Sequence, residues 1–563
     1  MQQEKTILNK STFLLIFIGL FLVLTTGMFF AGNNGFDIAF FVSRIDRLAN
    51  SISDNGFLFA IQEKINFSDI NPLGYSIDLF YGNLLLIPAA LLKLIGIPSI
   101  ISYKITIFFG ILLTWFTTFY CSKKVFKEYD RVFLCVTSFA FAFMVPHLGD
   151  FIVAKTIKPI FGFCVPLGMY NLYQIFNKKE NVFINMLGLT LAVAFNLLNH
   201  NLTTITLCIV LLVEYLVLAF KLNDKKEVLK ITAKIAISAI LCLGLCAGFV
   251  LPMLEQSSLG IYVFNYGQVD INGDGNLCGL WSGVIFNRAF AQMINIDAPA
   301  ENNGGYLFYF LILAFLMIKK KDKKYTIITI AIITLMLILS IIPLPSVFSV
   351  FQFRSRLYAL FNPALILLII WGCKDLSKSI QNKTCILLII CLVINLLFVS
   401  ILYGSIGSPD FSDTIDVGGG DYYVYNEEYA GPATVGGYYW HYDQSVQKEH
   451  IENTISSLPY EWEYLENGIK FVAPSDESIV LPLTYYKGYK VFTEDENGQL
   501  IEHCQIDEYT KDGLMVINKQ FSSNQSVYVL YTGTTIQKIC NYISIFTAII
   551  LLVVLISKKR KSV

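Results

Sequence analysis

The sequence predicts an α-helical protein that crosses a membrane many times, and three observations predict it. Of the 563 residues, 55% are hydrophobic and only 15% are charged, against roughly 45–50% and about 25% in soluble domains. The apolar residues form unbroken blocks of about 20 residues, the length that a helix needs to span ~30 Å of hydrocarbon and about twice that of a barrel strand. Basic residues cluster in short segments between these blocks, as they do in cytoplasmic loops.

A parity argument predicts twelve spans, with both termini in the cytoplasm. The basic segments share one side of the membrane, so the chain must cross an even number of times between neighbouring segments. The apolar block at 79–96 would break this parity, and we expect it to lie in the interface or to re-enter rather than cross. The predicted spans are 11–30, 101–120, 132–149, 159–176, 182–199, 201–220, 231–254, 305–318, 325–344, 357–373, 384–403 and 538–557.

This topology divides the chain into three parts. Residues 1–403 form a multi-span membrane domain with long outer loops at 31–78 and 255–304, and 404–537 form an extracytoplasmic domain. Residues 538–563 are a final span with a basic tail. Between 478 and 531, apolar residues alternate with polar ones around Asn-Gly and Asp-Gly turns, the pattern of β-hairpins. We therefore predict a small β-rich domain, a sandwich, on the outer membrane surface.

Charge and cysteine usage exclude several classes of protein. The formal net charge is zero, which argues against nucleic acid as a partner. The 12 cysteines are scattered without a CxxC pair, so neither a structural zinc site nor a disulfide scaffold is expected. The sequence has no Walker loop, so nothing in it favours ATP-driven transport.

The predicted outer face collects ionisable residues that suit a catalytic site. Asp37 follows the first span and opens an amphipathic segment, where it would act as a base or hold a metal ion; a helix cap is the alternative. Arg44 lies two turns further along and is a candidate phosphate ligand, its alternative being an ion pair with Asp37 or Asp46. His200 stands between two spans at membrane depth, either as a functional group or as a hydrogen-bonded turn residue.

Five further candidates share this predicted face. Arg354 and Arg356 lie in a turn between two spans, where basic residues run against the positive-inside trend. They would bind an anionic ligand such as a lipid phosphate or pyrophosphate, or else ordinary lipid headgroups. Asp150 is a further candidate catalytic carboxylate, and His147 and Glu255 end spans on the same side.

A weak metal motif lies in the second long loop. Asp270, Asn272 and Asp274, followed by Gly275, match the opening of a calcium-binding loop. Trp281 occupies the twelfth position, where such a loop needs an acidic ligand. An Asx-rich turn is the alternative to a divalent metal site.

The first loop resembles that of the GT-C class of membrane glycosyltransferases, in which an Asp just beyond the first span assists attack on a polyprenyl-phosphate sugar. More particularly, the chain resembles, nearly end to end, the YfhO-like family of bacterial membrane proteins. Relatives often carry His where Phe36 and Phe41 stand, and an acidic residue where Lys158 stands. The segments that carry the resemblance are FDIAFFVSRI (36–45), LFYGNLLLIPAALLKLIG (79–96), LLNHNLTT (197–204), LPMLEQ (251–256), FQFRSRLYAL (351–360), LPLTYYKGYKVF (481–492) and VYVLYTGTTIQKICNYIS (527–544).

The resemblance implies a GT-C-like fold in the plasma membrane. It implies transfer of a sugar from a polyprenyl-phosphate donor to an envelope polymer, glycan or glycolipid acceptor. Whether the reaction uses a divalent metal ion as a cofactor stays open. Asp37 would then be the base, Arg44, Arg354 and Arg356 would hold phosphate, and the β-rich domain would bind the acceptor. Two other functions stay open: a non-enzymatic transporter or assembly factor for lipid-linked glycans, in which Asp37 is dispensable, and a scaffold.

Overall fold

The computed structural model confirms a mostly helical chain with a β-rich region near the C-terminus. The structure describes residues 36–57, 60, 65–68, 71–144, 162–177, 181–222, 224–262, 305–351, 357, 359–404, 452–465, 467–474, 478–511, 513–522 and 524–561. The predicted span 11–30 lies outside these residues, as does most of the stretch between 404 and 451.

The helices of the described residues follow the apolar blocks of the sequence. They are α1 (Phe36–Asn55), α2 (Ile87–Leu94), α3 (Ser99–Val125), α4 (Arg131–Ala142), α5 (Cys164–Phe176), α6 (Val182–Leu197), α7 (Asn201–Lys221), α8 (Lys225–Ser257), α9 (Leu307–Lys320), α10 (Lys323–Ile341), α11 (Asn362–Gly372), α12 (Lys378–Gly404) and α13 (Thr535–Lys561).

Five of these helices contain segments long and apolar enough to cross a membrane: Ser99–Val125, Asn201–Lys221, Lys225–Ser257, Lys378–Asn395 and Thr535–Ser557. Each coincides with a predicted span. Shorter apolar helices occupy Arg131–Ala142, Val182–Leu197 and Ala359–Gly372. The structure thus provides the helices of a membrane protein, while the total of twelve spans stays a prediction.

Aspartates fix the starts of three helices. The side chain of Asp130 accepts a hydrogen bond from Val132 N at 2.8 Å, at the start of α4. Asp224 and Asp322 do the same at 2.9 Å for α8 and α10. Each satisfies a backbone N–H that has no partner within its own helix, which is worth about 1 kcal/mol at a helix N-terminus.

The block at 79–96 does not form one long helix. Its helix α2 has eight residues, with Pro in the first turn, where a fixed φ suits a helix start. Eight residues rise about 12 Å, well short of a ~30 Å hydrocarbon core. Helix α2 packs against α1 and α3, and the turn that follows it contains Gly96, whose φ is +93°. This geometry agrees with a segment that does not cross.

The β-rich region consists of two antiparallel sheets. One sheet has the order β3-β4-β10-β6-β7 and the other β5-β9-β8. Their apolar faces share one core, to which Phe471, Leu481, Val491, Met515 and Val527 contribute. The strands are β3 (Trp462–Leu465), β4 (Gly468–Val472), β5 (Ile479–Thr484), β6 (Tyr489–Glu494), β7 (Leu500–Gln505), β8 (Glu508–Tyr509), β9 (Leu514–Ile517) and β10 (Ser526–Tyr531). Strands β3 and β4 begin before the stretch that the sequence indicated.

Helices α8 and α13 hold the β-rich region against the helical part. Strand β10 ends at Tyr531 and α13 begins four residues later. Small residues let α13 approach α8 closely: Gly248 N donates to Ser544 Oγ at 2.8 Å. A Cβ on Gly244 would stand 2.8 Å from Thr547 Oγ1. Close approach at small residues is the usual way that membrane helices associate.

Candidate functional site

Three predicted site residues have described side chains; two of them contact one short segment, 76–82, and the third is next to a residue that reaches it. They are Arg44 on α1, His200 before α7 and Glu255 near the end of α8. The segment contains a 3-10 helix, Ile77–Leu79, whose residues are buried. It follows β2 (Asn71–Tyr75), which pairs with β1 (Asn66–Ser68).

Arg44 is buried, with 5% of its surface exposed. Its Nη2 lies 3.4 Å from Asp78 Oδ1. The same nitrogen donates to Gly82 O at 3.1 Å and to Asn83 Oδ1 at 2.5 Å. Arg44 therefore ties α1 to the segment through both a charge and neutral acceptors, and Asp78 is a carboxylate partner that the sequence did not suggest.

Arg47 forms an ion pair with the other carboxylate oxygen of Asp78. Arg44 and Arg47 are three residues apart, so a helix presents them on one face. Asp78 itself is 2% exposed, and a carboxylate at that depth needs opposite charge and hydrogen bonds to stay ionised. We call Arg44, Arg47 and Asp78 the arginine junction.

His200 meets the arginine junction through Tyr81. The Tyr81 and His200 ring centroids are 5.7 Å apart in an edge-to-face arrangement. The Arg44 guanidinium carbon lies 6.0 Å from the Tyr81 ring centroid. Arg44 and His200, remote in sequence, thus contact the same aromatic ring, an arrangement favoured by its quadrupole.

The backbone fixes the tautomer of His200. Thr203 N donates to His200 Nδ1 at 3.1 Å, so His200 caps the start of α7. An accepting Nδ1 carries no proton, and a proton on the neutral ring must therefore sit on Nε2. The sequence analysis offered a hydrogen-bonded turn residue as the alternative, and this hydrogen bond leaves Nε2 as the nitrogen suited to proton donation.

Gly82 allows the segment to reach the turn before α7. A Cβ at this position would stand 1.7 Å from Leu198 O, which no side chain could tolerate without a backbone shift. Three residues after Gly82, Leu85 N donates to Asn199 Oδ1 at 3.1 Å. Close backbone approach and this hydrogen bond set the distance between Tyr81 and His200.

Glu255 joins α8 to the β-rich region. Its carboxylate lies 3.3 Å from Lys487 Nζ and accepts a hydrogen bond from Thr534 Oγ1 at 2.6 Å. The next residue, Gln256, donates to Lys487 O at 2.7 Å and accepts from Lys487 N at 3.0 Å. A side-chain amide that satisfies both groups of one peptide residue gives a directional contact.

An aromatic stack extends this contact to the segment. Tyr262 OH donates to Gln256 Oε1 at 3.1 Å. The Tyr262 ring stacks on Tyr486 at 5.6 Å and meets Phe80 edge-on at 5.2 Å, while Tyr486 OH accepts from Ser76 N at 3.3 Å. We call Gln256, Tyr262, Tyr486 and the backbone of Lys487 the tyrosine junction; it lies on the side of segment 76–82 that faces the β-rich region.

Burial keeps the tyrosines of this region neutral. Desolvation raises the pKa of Tyr262, Tyr486, Tyr489 and Tyr531 above the usual value, and neighbouring tyrosines raise that of Tyr262 and Tyr489 further. Neutral hydroxyls donate or accept single hydrogen bonds, so this side of the segment contributes packing and direction rather than charge.

Other predicted residues fall outside the side chains that the structure describes. Asp37 is the second residue of α1, and its side chain is not described. The same holds for the remaining candidates, Asp150, His147, Arg354, Arg356, Asp270, Asn272 and Asp274. Within the described residues, no three His, Cys, Asp or Glu side chains are grouped so that they could hold a metal ion.

Asp78 and Arg47 did not figure among the predicted site residues. The signal was present: Asp78 is the lone charged residue in the apolar run IDLFYGNLLLIP. A carboxylate in such a run must find a cation or be protonated. Two arginines at helical spacing in the preceding amphipathic helix were the available partners.

The fold defines a class: a mostly helical chain with helices able to cross a membrane and a β-rich region docked on them. No family model matches the chain. The chain is 23% identical to an uncharacterized protein of Lactococcus lactis subsp. cremoris (strain MG1363), over an alignment 605 positions long. The alignment covers 96% of this chain and 94% of that protein. The similarity extends over nearly the whole of both chains.

Proposed function

We propose that the protein is a membrane glycosyltransferase of the GT-C type. It takes a sugar from a polyprenyl-phosphate donor and transfers it to a polymer or lipid of the cell envelope, on the outer face of the plasma membrane. Asp37 acts as base or organises a metal ion, since the acceptor hydroxyl must lose a proton. Positive charge stabilises the phosphate leaving group.

The observation that carries the proposal is the convergence of Arg44 and His200 on segment 76–82, with Glu255 next to Gln256, which reaches the segment through Tyr262. These residues come from three separate parts of the sequence, and the proposal requires them to share one face. Arg44 meets Asp78 and Tyr81, His200 meets Tyr81, and the neighbour of Glu255 reaches Phe80 through Tyr262. A site assembled between helix ends and a docked domain suits a two-substrate reaction at a membrane surface.

The contacts of Arg44 assign it a positioning role within this proposal. Its guanidinium holds the segment through Asp78, Gly82 and Asn83, so it orients α1, the helix that begins beside Asp37. Direct contact with the donor phosphate is assigned to Arg354 and Arg356, whose guanidinium geometry matches phosphate oxygens. His200 Nε2 supplies a donor near the reacting groups.

Topology forms part of the proposal. Twelve spans with cytoplasmic termini bring segment 76–82, the end of α8 and the β-rich region to the outside, where the β-rich region receives the acceptor. Reporter fusions test this directly. A phosphatase that is active only outside the membrane should be active when inserted at Asn497 and inactive when fused after 563, and the reverse pattern contradicts the topology.

The test of function is mass spectrometry of envelope glycans and glycolipids. A strain that lacks the protein is complemented with the natural chain, with Asp37→Asn or with Asp46→Asn at equal membrane levels. Asp46 is a matched control on the same helix, half-exposed and paired with Lys93 at 3.6 Å. We expect one sugar modification to disappear in the deletion and to return with the natural chain and Asp46→Asn only.

Two results would overturn the proposal. Full restoration by Asp37→Asn would make the carboxylate dispensable and would favour a transporter, assembly factor or scaffold for lipid-linked glycans. An unchanged envelope in the deletion strain would remove glycosyl transfer altogether. In the expected case, the mass of the missing modification identifies the sugar.

A further inference from the structure

Helix α2 and the turns that flank it, residues 84–96, have two apolar faces, and only one of them is buried. On the side of α1 and α3, Leu85 and Leu86 of the first turn and Ala89 and Ala90 of the helix are all buried. On the other side, the exposed fractions are 44% for Leu84, 47% for Leu91 and 74% for Ile95, and Pro88 is exposed between them.

The exposed residues form one continuous stripe. Leu84, Pro88, Leu91 and Ile95 follow one another at intervals of four, three and four residues, the spacing that places side chains on one helix face. Leu94, 42% exposed, widens the stripe. The stripe carries no charge or hydrogen-bonding side chain, which is unusual for a surface that faces water.

The neighbouring span fixes the level at which the stripe lies. Helix α3 has 27 residues and is therefore about 40 Å long, so its ends extend past a hydrocarbon core of ~30 Å. The stripe ends at Ile95, four residues before α3 starts at Ser99. Helix α2 therefore lies where α3 leaves the hydrocarbon core, at the boundary between acyl chains and headgroups.

A polar pair marks the headgroup side of α2. Lys93 Nζ lies 3.6 Å from Asp46 Oδ1, with 28% and 37% of the two side chains exposed, and Ser99 Oγ also donates to Asp46. A helix with an apolar stripe and a basic residue on its flank is the pattern of interfacial membrane helices. Lys reaches headgroups while its methylenes stay on apolar surface.

We infer that the stripe of Leu84, Pro88, Leu91, Leu94 and Ile95 is a lipid-contact surface, with α2 lying in the plane of the bilayer interface. Its occupant is the acyl region of membrane lipid. In the same chain segment, Gly82 O and Asn83 Oδ1 accept hydrogen bonds from Arg44 Nη2, so the stripe forms the lipid-facing rim of the arginine junction. Lipid contact here does not depend on glycosyl transfer.

Photo-crosslinking of the full-length protein tests this inference. Benzoylphenylalanine is placed at Leu91 or Ile95, and the protein is reconstituted into vesicles of phosphatidylcholine and phosphatidylglycerol. The exposed Leu113 of span α3 is the positive control and Asn497, in the β6–β7 turn, is the negative one. Irradiation and mass spectrometry should give lipid adducts at Leu91 and Ile95 at the level of Leu113, roughly ten-fold or more above Asn497.

Two outcomes would overturn the inference. Adducts to peptide at Leu91 and Ile95 would show that protein, either another part of this chain or a second copy, covers the stripe. Background lipid labelling at both positions, with normal labelling at Leu113, would show that the stripe faces water. Only the monodisperse fraction of each variant is analysed, so a misfolded variant cannot imitate either result.

Discussion

The arginine junction and the tyrosine junction hold the same segment by different physics. On one side, two guanidiniums meet the 2%-exposed Asp78. On the other, Gln256 exchanges hydrogen bonds with the backbone of Lys487, and neutral tyrosine rings stack. An ion pair between Glu255 and Lys487 adjoins the tyrosine junction, and the lysine side chain of this pair is 37% exposed.

This difference indicates which of the two junctions depends on charge for its stability. Removing one partner of a buried ion pair costs about 3–5 kcal/mol, because the remaining charge stays buried without a partner. A half-exposed pair is worth about 0–1 kcal/mol. The arginine junction should therefore respond to charge deletion, whereas the tyrosine junction should respond to alkaline pH and to the loss of single hydrogen bonds.

The largest expected effect is alkaline unfolding of the β-rich region. Burial raises the pKa of Tyr262, Tyr486, Tyr489 and Tyr531, so their stabilisation is complete below the unfolded value near 10. It is lost as pH rises above that value, by about 2–3 kcal/mol per ring at pH 12. Tyrosinate absorbance should rise cooperatively together with proteolysis of 452–534. Gradual titration without proteolysis would contradict the buried tyrosine core.

Removal of the Asp78 charge should come next. Asp78→Asn should lower the free energy of unfolding by about 3–5 kcal/mol. Heating should expose buried cysteines of the membrane helices, such as Cys164 and Cys246, to a thiol-reactive dye at a clearly lower temperature. Asp46→Asn is the control and should cost about 1 kcal/mol or less. Equal effects of the two substitutions would argue against the arginine junction as described.

The amide of Gln256 should matter more than the charge of Lys487. Gln256→Leu leaves Lys487 N and Lys487 O without their partner and should destabilise the docked β-rich region by about 1–3 kcal/mol. Lys487→Met keeps that backbone contact and removes only the ion pair to Glu255, for about 1 kcal/mol or less. The rate of limited proteolysis in the chain between α8 and β3 measures the destabilisation in both variants. The opposite ranking would make the ion pair the dominant contact.

Two neighbouring tyrosines give the smallest and sharpest comparison. Tyr486→Phe removes the acceptor of Ser76 N and should cost about 1 kcal/mol. Among the described residues, Tyr489 OH has no hydrogen-bond partner, so Tyr489→Phe should be neutral or slightly stabilising. Thermal unfolding of the β-rich region compares the two variants. A larger cost for Tyr489→Phe would show that its hydroxyl has a partner.

Local features of the sequence predicted much of the architecture. The long apolar helices α3, α7, α8, α12 and α13 followed from the length of their apolar blocks, and β5, β6, β7, β9 and β10 from alternation and turn residues. Strands β3 and β4 were not predicted. In β3, the adjacent residues Glu463 and Tyr464 are both exposed, which breaks the alternation of buried and exposed positions.

The candidate site was predicted only in part. Arg44, His200 and Glu255 were assigned to one face from topology. The structure brings Arg44 and His200 to segment 76–82, whereas Glu255 contacts Lys487 and Thr534 of the neighbouring β-rich part. Their partners were not predictable by the same means. Asp78 lies 34 residues from Arg44, and Lys487 lies 231 residues from Gln256, so no local pattern connects them.

The sequence by itself determined the mostly helical class, the helices long and apolar enough to cross a membrane, and the β-rich region, because periodicity and apolar length act over short stretches of chain. The tertiary structure alone decided that Asp78 pairs with two arginines and that Tyr81 lies between Arg44 and His200. The cost of burying a charge depends on what surrounds it in space. Only the folded chain brings those surroundings together.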